Sequence, residues 1–148
     1  MSVIPPFSEK KYSIKIFPNS GFMVAKFFGK LRLSDMQAFT SDIISEPDYS
    51  ITYPLICDFR DCTAVGYRID VPDFIRNHRS KVAIPQKKKY GLIISTLNQR
   101  FIFSLFKLSA PLLNLEVELF DHSEDCINWM TDNLDQKIEL LSYLEKRG

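Results

Sequence analysis

The residues best placed to do chemistry lie at the end of an apolar run in the first half of the chain. Residues 54–60 read Pro-Leu-Ile-Cys-Asp-Phe-Arg, and Asp61 follows. A short apolar run entered by a proline indicates a strand that is covered on both faces. Clefts in open α/β sheets form outside the carboxyl ends of strands, so Asp58, Arg60 and Asp61 could bind a ligand or exchange a proton there. His78 follows and could join them.

A structural role for this polar cluster is the stronger interpretation. Asp58 and Arg60 have the spacing of a strand-end ion pair, and His78 falls on the apolar stripe of a predicted helix. The chain has no glycine-rich phosphate loop, no nucleophile elbow and no pair of ligands at metal spacing. We therefore expect no catalytic residue, with acid/base chemistry at residues 58–61 as the weaker alternative.

Three cysteines are the other candidates for chemistry. Cys57, Cys62 and Cys126 are an odd number in a chain without a recognisable signal peptide, which indicates reduced thiols in a cytoplasmic protein. Cys57 lies in the apolar strand and Cys126 on the apolar side of a predicted helix, where thiols usually act as small hydrophobic groups. A metal site built from Cys57, Cys62 and a histidine would need irregular spacing, so no metal and no other cofactor is expected.

Strand and helix patterns alternate on both sides of the apolar run. Residues 12–17 and 22–29 predict a hairpin, and Ser34 with Gln37 predicts a capped helix that ends near residue 45. A loop is predicted over residues 61–69, and further strands over residues 89–95 and 115–119. Further helices are predicted from Asp70, over residues 98–110, from an N-terminal cap at Ser123 and over residues 136–146. The order ββαβαβαβα plus a C-terminal helix predicts an α/β domain with a mixed, mostly parallel sheet and helices on it.

Length and composition fit one domain with a large core. The chain has 148 residues, of which 45% are hydrophobic and 13% aromatic, which is ample for a single domain. Within it, residues 1–11 are predicted to form a loose N-terminal arm and residues 135–148 to add the last helix. No apolar run approaches the ~20 residues that a membrane span needs.

A net charge of +1 conceals an uneven distribution. Residues 74–115 carry eight basic and no acidic side chains, whereas residues 116–148 carry nine acidic and three basic ones. The basic block consists of Arg76, Arg79, Lys81, Lys87, Lys88, Lys89, Arg100 and Lys107. Contact with phosphate is one interpretation, but no module that reads nucleic acid accompanies these residues. Solvated charge, or pairing with the acidic end, is the stronger prediction and argues against a nucleic-acid partner.

The predicted helix over residues 98–110 carries more apolar surface than one sheet face can cover. Its apolar residues are Phe101, Ile102, Phe103, Leu105, Phe106 and Leu108, and its narrow polar stripe is Arg100, Ser104 and Lys107. We predict that Phe101, Phe103 or Phe106 contributes to a homodimer seam or an apolar pocket, with Arg100 and Lys107 beside it. The alternative is that the leucines of the C-terminal helix cover the excess.

The order of these elements resembles the anti-sigma-factor-antagonist (STAS) superfamily and its CRAL-TRIO-like relatives, over residues 12–134. The resemblance rests on the opening hairpin, the capped helix and three short sequence motifs with their neighbours. These are Asp-Phe-Arg at residues 58–60, Tyr-Gly at residues 90–91, and Val-Glu-Leu-Phe at residues 117–120 followed by Ser-Glu-Asp-Cys-Ile-Asn-Trp at residues 123–129.

The resemblance implies a non-enzymatic domain that engages protein partners, small ligands or lipids. In phosphoregulated members an Asp-Ser pair opens the helix after the central strand, and a kinase modifies the serine. Asp70 matches the aspartate, but Val71 occupies the serine position and cannot be phosphorylated. Thr63 and Tyr67 are nearby hydroxyls outside the motif. The expected function is therefore protein contact or homodimerisation without the phosphoacceptor, and the alternative is a carrier or sensor of a small apolar or amphipathic ligand.

Overall fold

The computed structural model describes residues 10–65, 76 and 87–146. Its elements in chain order are β1 Tyr12–Phe17, β2 Phe22–Arg32, α1 Leu33–Ile44, β3 Leu55–Val65, β4 Lys88–Ile93, α2 Leu97–Ser109 with a 3-10 turn at Ala110–Leu113, β5 Leu115–Phe120, α3 Ser123–Met130 and α4 Leu134–Glu145. Of the helix predicted from Asp70, only Arg76 belongs to the described residues, and it is helical. Asp70, Val71, His78 and Tyr67 lie outside them. No helix in the described part of the chain has both the length and the apolar character that crossing a bilayer requires.

Five strands form one sheet in the order β1-β2-β3-β4-β5. The hairpin strands β1 and β2 are antiparallel, and every other neighbouring pair is parallel. The hairpin turns at Gly21, whose φ of 76° is a backbone conformation that favours glycine. The predicted α/β class with a mixed, mostly parallel sheet is confirmed, and β3 lies at its centre.

The central strand is longer than its sequence pattern predicted. We predicted that the strand ends at Arg60 and that residues 61–69 form a loop, but β3 continues to Val65. It can do so because β2 also runs on, to Arg32, and pairs with it along the added length. Arg60 therefore lies within the strand and not at its end.

A β-bulge explains why the alternation of β3 looked broken. Lys26 of β2 is opposite Asp58, but Phe28, two residues later, is opposite Asp61, so β3 carries one extra residue. The side chains that face the same core on the two sides of the bulge are Cys57, Phe59, Cys62 and Ala64. The bulge thus keeps the apolar side chains on one face although their numbering changes from odd to even.

Helices cover both faces of the sheet. The first core lies under α1 and α2, and the second core lies under α3 and α4. Members of the first core include Met23, Phe27, Phe39, Ile43, Cys57, Phe59, Leu92, Ile102 and Phe103. The second core consists of Phe22, Val24, Ile56, Ile93, Cys126, Ile127, Met130, Leu140 and Leu144.

Stacked aromatic rings join three elements of the first core. The ring of Phe59 on β3 stacks on Phe27 of β2 at a centroid distance of 4.6 Å and on Phe103 of α2 at 4.2 Å. Phe39 of α1 meets Phe27 edge to face at 5.0 Å. Because aromatic pairs in these arrangements add to the free energy of burial, the column fixes both helices on the sheet.

Two predicted serine caps are wrong. At the start of α1 the Asp35 carboxylate accepts a hydrogen bond from the backbone N–H of Arg32 at 2.7 Å, and Ser34 does not cap. The reason is that the chain stays in the sheet up to Arg32, so the helix starts directly behind it. At α3 the Ser123 hydroxyl donates to the Glu145 carboxylate and so ties α3 to α4.

Candidate functional site

An apolar cavity of about 70 Å³ lies between α1, α2 and the sheet. This volume has room for roughly five water-sized groups. Its wall includes Met36, Phe39, Ile43 and Ile44 of α1, Phe59 and Leu92 of the sheet, and Ile102, Phe103 and Phe106 of α2. Ile44 is 37% exposed, so the wall reaches the surface at α1. The cavity is the kind of site that holds a small apolar group.

Three titratable residues line one part of the cavity wall, although the surface that they present to the cavity is almost entirely apolar. Tyr49, which lies between α1 and β3, Tyr90 of β4 and Cys57 of β3 line it. Loss of hydration raises the pKa of all three side chains. They are therefore uncharged at neutral pH and can take part in hydrogen bonds without bringing a negative charge.

Lys88 is buried beside this part of the wall. As the first residue of β4 it lies on the same face as Tyr90 and Leu92, both of which line the cavity. Lys88 is not itself a lining residue, but its Nζ lies 5.3 Å from the ring centroid of Tyr90 and 5.9 Å from that of Tyr49. The residue is 6% exposed. No group in residues 10–65 or 87–146 accepts a hydrogen bond from Nζ.

The surroundings of Lys88 oppose its charge. Loss of hydration lowers its pKa from 10.5 to about 8, against a smaller opposing effect of Cys57. The side chain is still protonated for the most part at pH 7. Buried lysines are rare unless they are paired, so an ammonium group whose contacts among the described residues are the faces of two tyrosine rings is an unusual feature.

An apolar stripe lies exposed on the outer face of α2 and the following 3-10 turn. This outer stripe consists of Leu97, Phe101, Leu108 and Leu112, which are 85%, 48%, 79% and 64% exposed. The alternative that the C-terminal helix covers the excess apolar surface of α2 is wrong. Leu140 and Leu144 are fully buried in the second core, on the opposite face of the sheet.

The structure divides the three phenylalanines that the sequence singled out. Phe103 is buried in the first core, Phe106 is half-buried at the cavity, and Phe101 belongs to the outer stripe. Leu97 and Leu112 were missed because the helix was predicted to begin at residue 98 and to end at Pro111. Their spacing of whole turns from Phe101 and Leu108 is the signal that would have found them.

Two ion pairs border the outer stripe. Arg100 pairs with Asp121 at 2.6 Å, and Lys107 pairs with Glu118 at 2.7 Å. The predicted pairing of the basic block with the acidic end of the chain thus occurs within one molecule. The pairing lowers the pKa of Glu118 through its hydrogen bond to Lys107.

Other members of the basic block point in different directions. The Lys89 ammonium donates to the Trp129 carbonyl at 2.9 Å and lies 4.8 Å from the centroid of its ring, on the side of the second core. Lys88 is buried on the opposite side, and Arg76 and Lys87 are exposed. Arg79 and Lys81 lie outside the described residues. The described members do not share one face.

The polar pair of the central strand is a structural clamp. Arg60 donates to the Asp58 carboxylate through Nε and Nη2, both at 2.9 Å, and also reaches the carbonyl of Leu144 at 3.3 Å. The hydrogen bond to Asp58 raises the pKa of Arg60, and Asp58 is 4% exposed. The guanidinium engages both carboxylate oxygens of Asp58, and its hydrogen bond to the Leu144 carbonyl joins β3 to α4. Asp61 lies across the bulge and is exposed.

Gln99 is a fully buried polar residue that the sequence analysis missed. Its Nε2 donates to the carbonyls of Phe59 and Cys62 at 2.8 and 2.7 Å, on either side of the bulge. Its Oε1 accepts from the backbone N–H of Ser95 at 2.7 Å, and Thr96 caps α2 by accepting from the Gln99 N–H. Thr-x-x-Gln is a capping-box pattern, so the helix start was readable from the sequence.

The three cysteines are free thiols and buried. Loss of hydration raises the pKa of Cys62 and of Cys126 to about 12, and that of Cys57 further. Within the ranges that the structure describes, no three His, Cys, Asp or Glu side chains come together as they would around a metal ion. Cys57 and Cys126 belong to the two apolar cores, and the Cys62 thiol also donates a hydrogen bond to the carbonyl of Phe59 at 3.3 Å.

Comparison with known proteins places the fold. No protein-family model matches the chain, and the search of curated proteins found no match. Among solved structures, the chain is similar to an uncharacterised protein of the DUF3478 family from Shewanella loihica PV-4, which has a SpoIIAA-like fold. The TM-score is 0.52 at 15% sequence identity, and the match covers 88% of this chain and 99% of the other. The chain therefore has a SpoIIAA-like, or STAS-like, fold, as its order of elements predicted.

Proposed function

We propose that this STAS-like chain is a binding domain without chemistry of its own, and that it works by contact with a second copy of itself. The outer stripe of α2 is the observation that carries the proposal. Leu97, Leu108 and Leu112 are each more than half exposed. Contiguous apolar surface of this kind usually marks an interface, and neither sheet core of the described structure uses it.

The charges around the outer stripe favour a second copy as the occupant. Arg100 and Lys107 are matched by Asp121 and Glu118, so this border has no net charge and does not repel its own copy. In a two-fold dimer the same patch meets itself, which requires a surface that is complementary to itself. An apolar stripe with a neutral border of mixed charges meets this requirement.

Sedimentation equilibrium tests the proposed dimer. We expect wild-type protein to be dimeric at micromolar concentration and Leu108→Glu to be a folded monomer, because the carboxylate would be buried against the partner's apolar stripe. Ile138→Glu is the matched control, since Ile138 is a 59% exposed apolar residue on α4. This variant should remain dimeric.

Two results would contradict the dimer. One is a wild-type protein that stays monomeric throughout the micromolar range. The other is equal dissociation of Leu108→Glu and Ile138→Glu, which would show that any exposed carboxylate on the surface has the same effect. The circular dichroism of each variant should match that of the wild type, which ensures that the comparison is made between folded chains.

A second candidate function, that of a carrier or sensor of a small apolar or amphipathic ligand, rests on the cavity between α1 and α2. We expect 1-hexanol to shift the NMR signals of Phe103 and Leu92, which line the cavity. Ile102→Phe should fill the space and weaken binding at least fivefold. Ile138→Phe, which lies outside the cavity, should not. Wild-type spectra that do not change at millimolar 1-hexanol would end this candidate.

A further inference from the structure

We propose that the cavity between α1 and α2 takes a monocarboxylate with a short alkyl chain, whose charged end is held by the ammonium group of Lys88. The proposal rests on the second candidate function, because the cavity must first accept a ligand. It adds the chemical class of that ligand and the residue that selects it.

The burial of Lys88 is the first step of the argument. A lysine that only filled space at the start of β4 could be replaced by a methionine or a leucine, which bury without loss of hydration. Instead this residue is a lysine that is only 6% exposed, and its ammonium group meets only ring faces in the described structure. A buried charge that finds no hydrogen-bond acceptor within residues 10–65 and 87–146 is the state expected when the acceptor belongs to a ligand.

The cavity wall next to Lys88 suits an anion. None of the described residues that line the cavity is acidic, so a carboxylate would meet no like charge there. Tyr49, Tyr90 and Cys57 line this part of the cavity and carry no charge at neutral pH, so a carboxylate would meet no anion among them. A cationic ligand would instead be repelled by Lys88.

The remaining wall defines the other end of the ligand. From the tyrosines toward Phe106 the lining is formed by side chains such as Phe39, Ile43 and Ile102, which offer no partner for a polar group. The space for roughly five water-sized groups corresponds to a short alkyl chain. Lys88 and the apolar wall together therefore fit an amphipathic acid.

An NMR titration with two probes of equal chain length tests the assignment. Hexanoate and 1-hexanol are each added at pH 7 to ¹⁵N-labelled wild-type protein, Lys88→Met and Lys89→Met. Lys89 is the matched control because it is the next residue and points to the other face of the sheet, at Trp129. We expect wild type and Lys89→Met to bind hexanoate at least tenfold more tightly than 1-hexanol, and Lys88→Met to lose this preference while it still binds 1-hexanol.

The outcomes separate the two proposals. Binding of 1-hexanol with no preference for hexanoate, or a preference that survives in Lys88→Met, overturns the role of Lys88 and leaves the cavity as an apolar site. Binding of neither probe overturns both. If Lys89→Met also lost the preference for hexanoate, the preference would depend on the overall positive charge of the protein and not on Lys88. This result would also overturn the proposal.

The pKa of Lys88 provides a second test. A lysine with a purely structural role would keep the same pKa when hexanoate is added. The ¹³Cε signal of Lys88 is followed against pH with and without saturating hexanoate. A carboxylate beside the ammonium favours its charged form, so hexanoate should raise the pKa of Lys88, and 1-hexanol should not. If the ¹³Cε signal of Lys88 titrated identically with hexanoate and with 1-hexanol, the proposed contact between Lys88 and the carboxylate would be wrong.

Discussion

At the scale of single residues, Lys88 should lower the stability of the protein in the absence of a ligand. Replacing a buried charged group by an apolar residue of similar size is often neutral or stabilising. We therefore predict that Lys88→Met is more stable than wild type at pH 7, by at most about 3 kcal/mol for a pKa that falls from 10.5 to about 8. Urea unfolding measures the difference, and Lys89→Met, which loses the contacts to Trp129, should be less stable than wild type.

The advantage of Lys88→Met should depend on pH in a defined way. Folding lowers the pKa of Lys88, so between about pH 8 and 10.5 the unfolded chain binds more protons than the folded one, and wild-type stability gains with pH. The difference in free energy of unfolding between Lys88→Met and wild type therefore has its full value below pH 8 and disappears near pH 10.5. Cys57 and Tyr90 titrate in the opposite sense, but they are present in both proteins and largely cancel. A difference that is constant with pH would contradict the prediction.

Gln99 is the residue whose loss should be most damaging. In Gln99→Leu the Cys62 carbonyl and the Ser95 N–H lose their hydrogen bonds to the side chain, and the Phe59 carbonyl keeps the weaker one from the Cys62 thiol. Because each buried group left without a hydrogen bond costs about 1–3 kcal/mol, we predict a loss of about 3 kcal/mol or more in the free energy of unfolding. Gln37→Leu on α1 is the control and should change stability by less than about 1 kcal/mol. Equal effects of the two substitutions in urea unfolding would refute the role of the network.

The ion pair of Asp58 and Arg60 could be predicted from the sequence because residues two apart in a strand share a face. Lys88 and Gln99 could not be recognised in this way. Lys88 was assigned to the solvated segment in front of a strand, and only the actual strand start turns it toward Tyr90. The role of Gln99 depends on a bulge in a strand 40 residues earlier, which no local pattern reveals.

At the scale of elements, the close approach of α3 to β4 depends on Gly91. A Cβ atom at this position would lie 2.5 Å from the Sγ of Cys126. We predict that Gly91→Ala lowers stability by about 1–3 kcal/mol, the usual effect of overpacking a core. Cys126→Ala removes the sulfur, so the double variant should lose less than the sum of the two single losses. Strict additivity in thermal unfolding would show that the clash is relieved elsewhere.

Element types were predictable where the hydrophobic period was regular. The alternation of Leu115, Val117 and Leu119 with Glu116 and Glu118 predicted β5, and the structure places it at an edge of the sheet. The end of β3 was misplaced because its bulge interrupts the alternation after Arg60. The two serine caps failed because sheet pairing and a contact between helices, neither of which is local, decided the helix starts.

At the scale of the whole molecule, the two cores should unfold together. Strands β2, β3 and β4 contribute side chains to both, such as Met23 and Val24 or Leu92 and Ile93. Neither core can therefore open without exposing the strands that the other one packs against. We predict that the fluorescence of Trp129, the one tryptophan in the chain, follows the second core through the same transition that far-UV circular dichroism reports for the whole fold. Separate midpoints would contradict this coupling.

The order of elements was sufficient to predict the architecture, since alternating strands and helices lead to parallel pairing. It was not sufficient to assign helices to faces. The C-terminal helix was considered as a cover for α2, but α4 packs on the opposite face against Ile56 and Val24. That choice depends on which side chains of each strand point to which side, and the bulge in β3 alters this along the most central strand.

The bulge in β3 has a consequence for comparing this chain with its relatives. The alternation of core-facing residues along β3 shifts by one position at the bulge, between Phe59 and Cys62. A relative that lacks the extra residue should carry its buried positions in unchanged phase to the end of the strand. It should also have no need for a glutamine at the position of Gln99, so the two features should be gained and lost together.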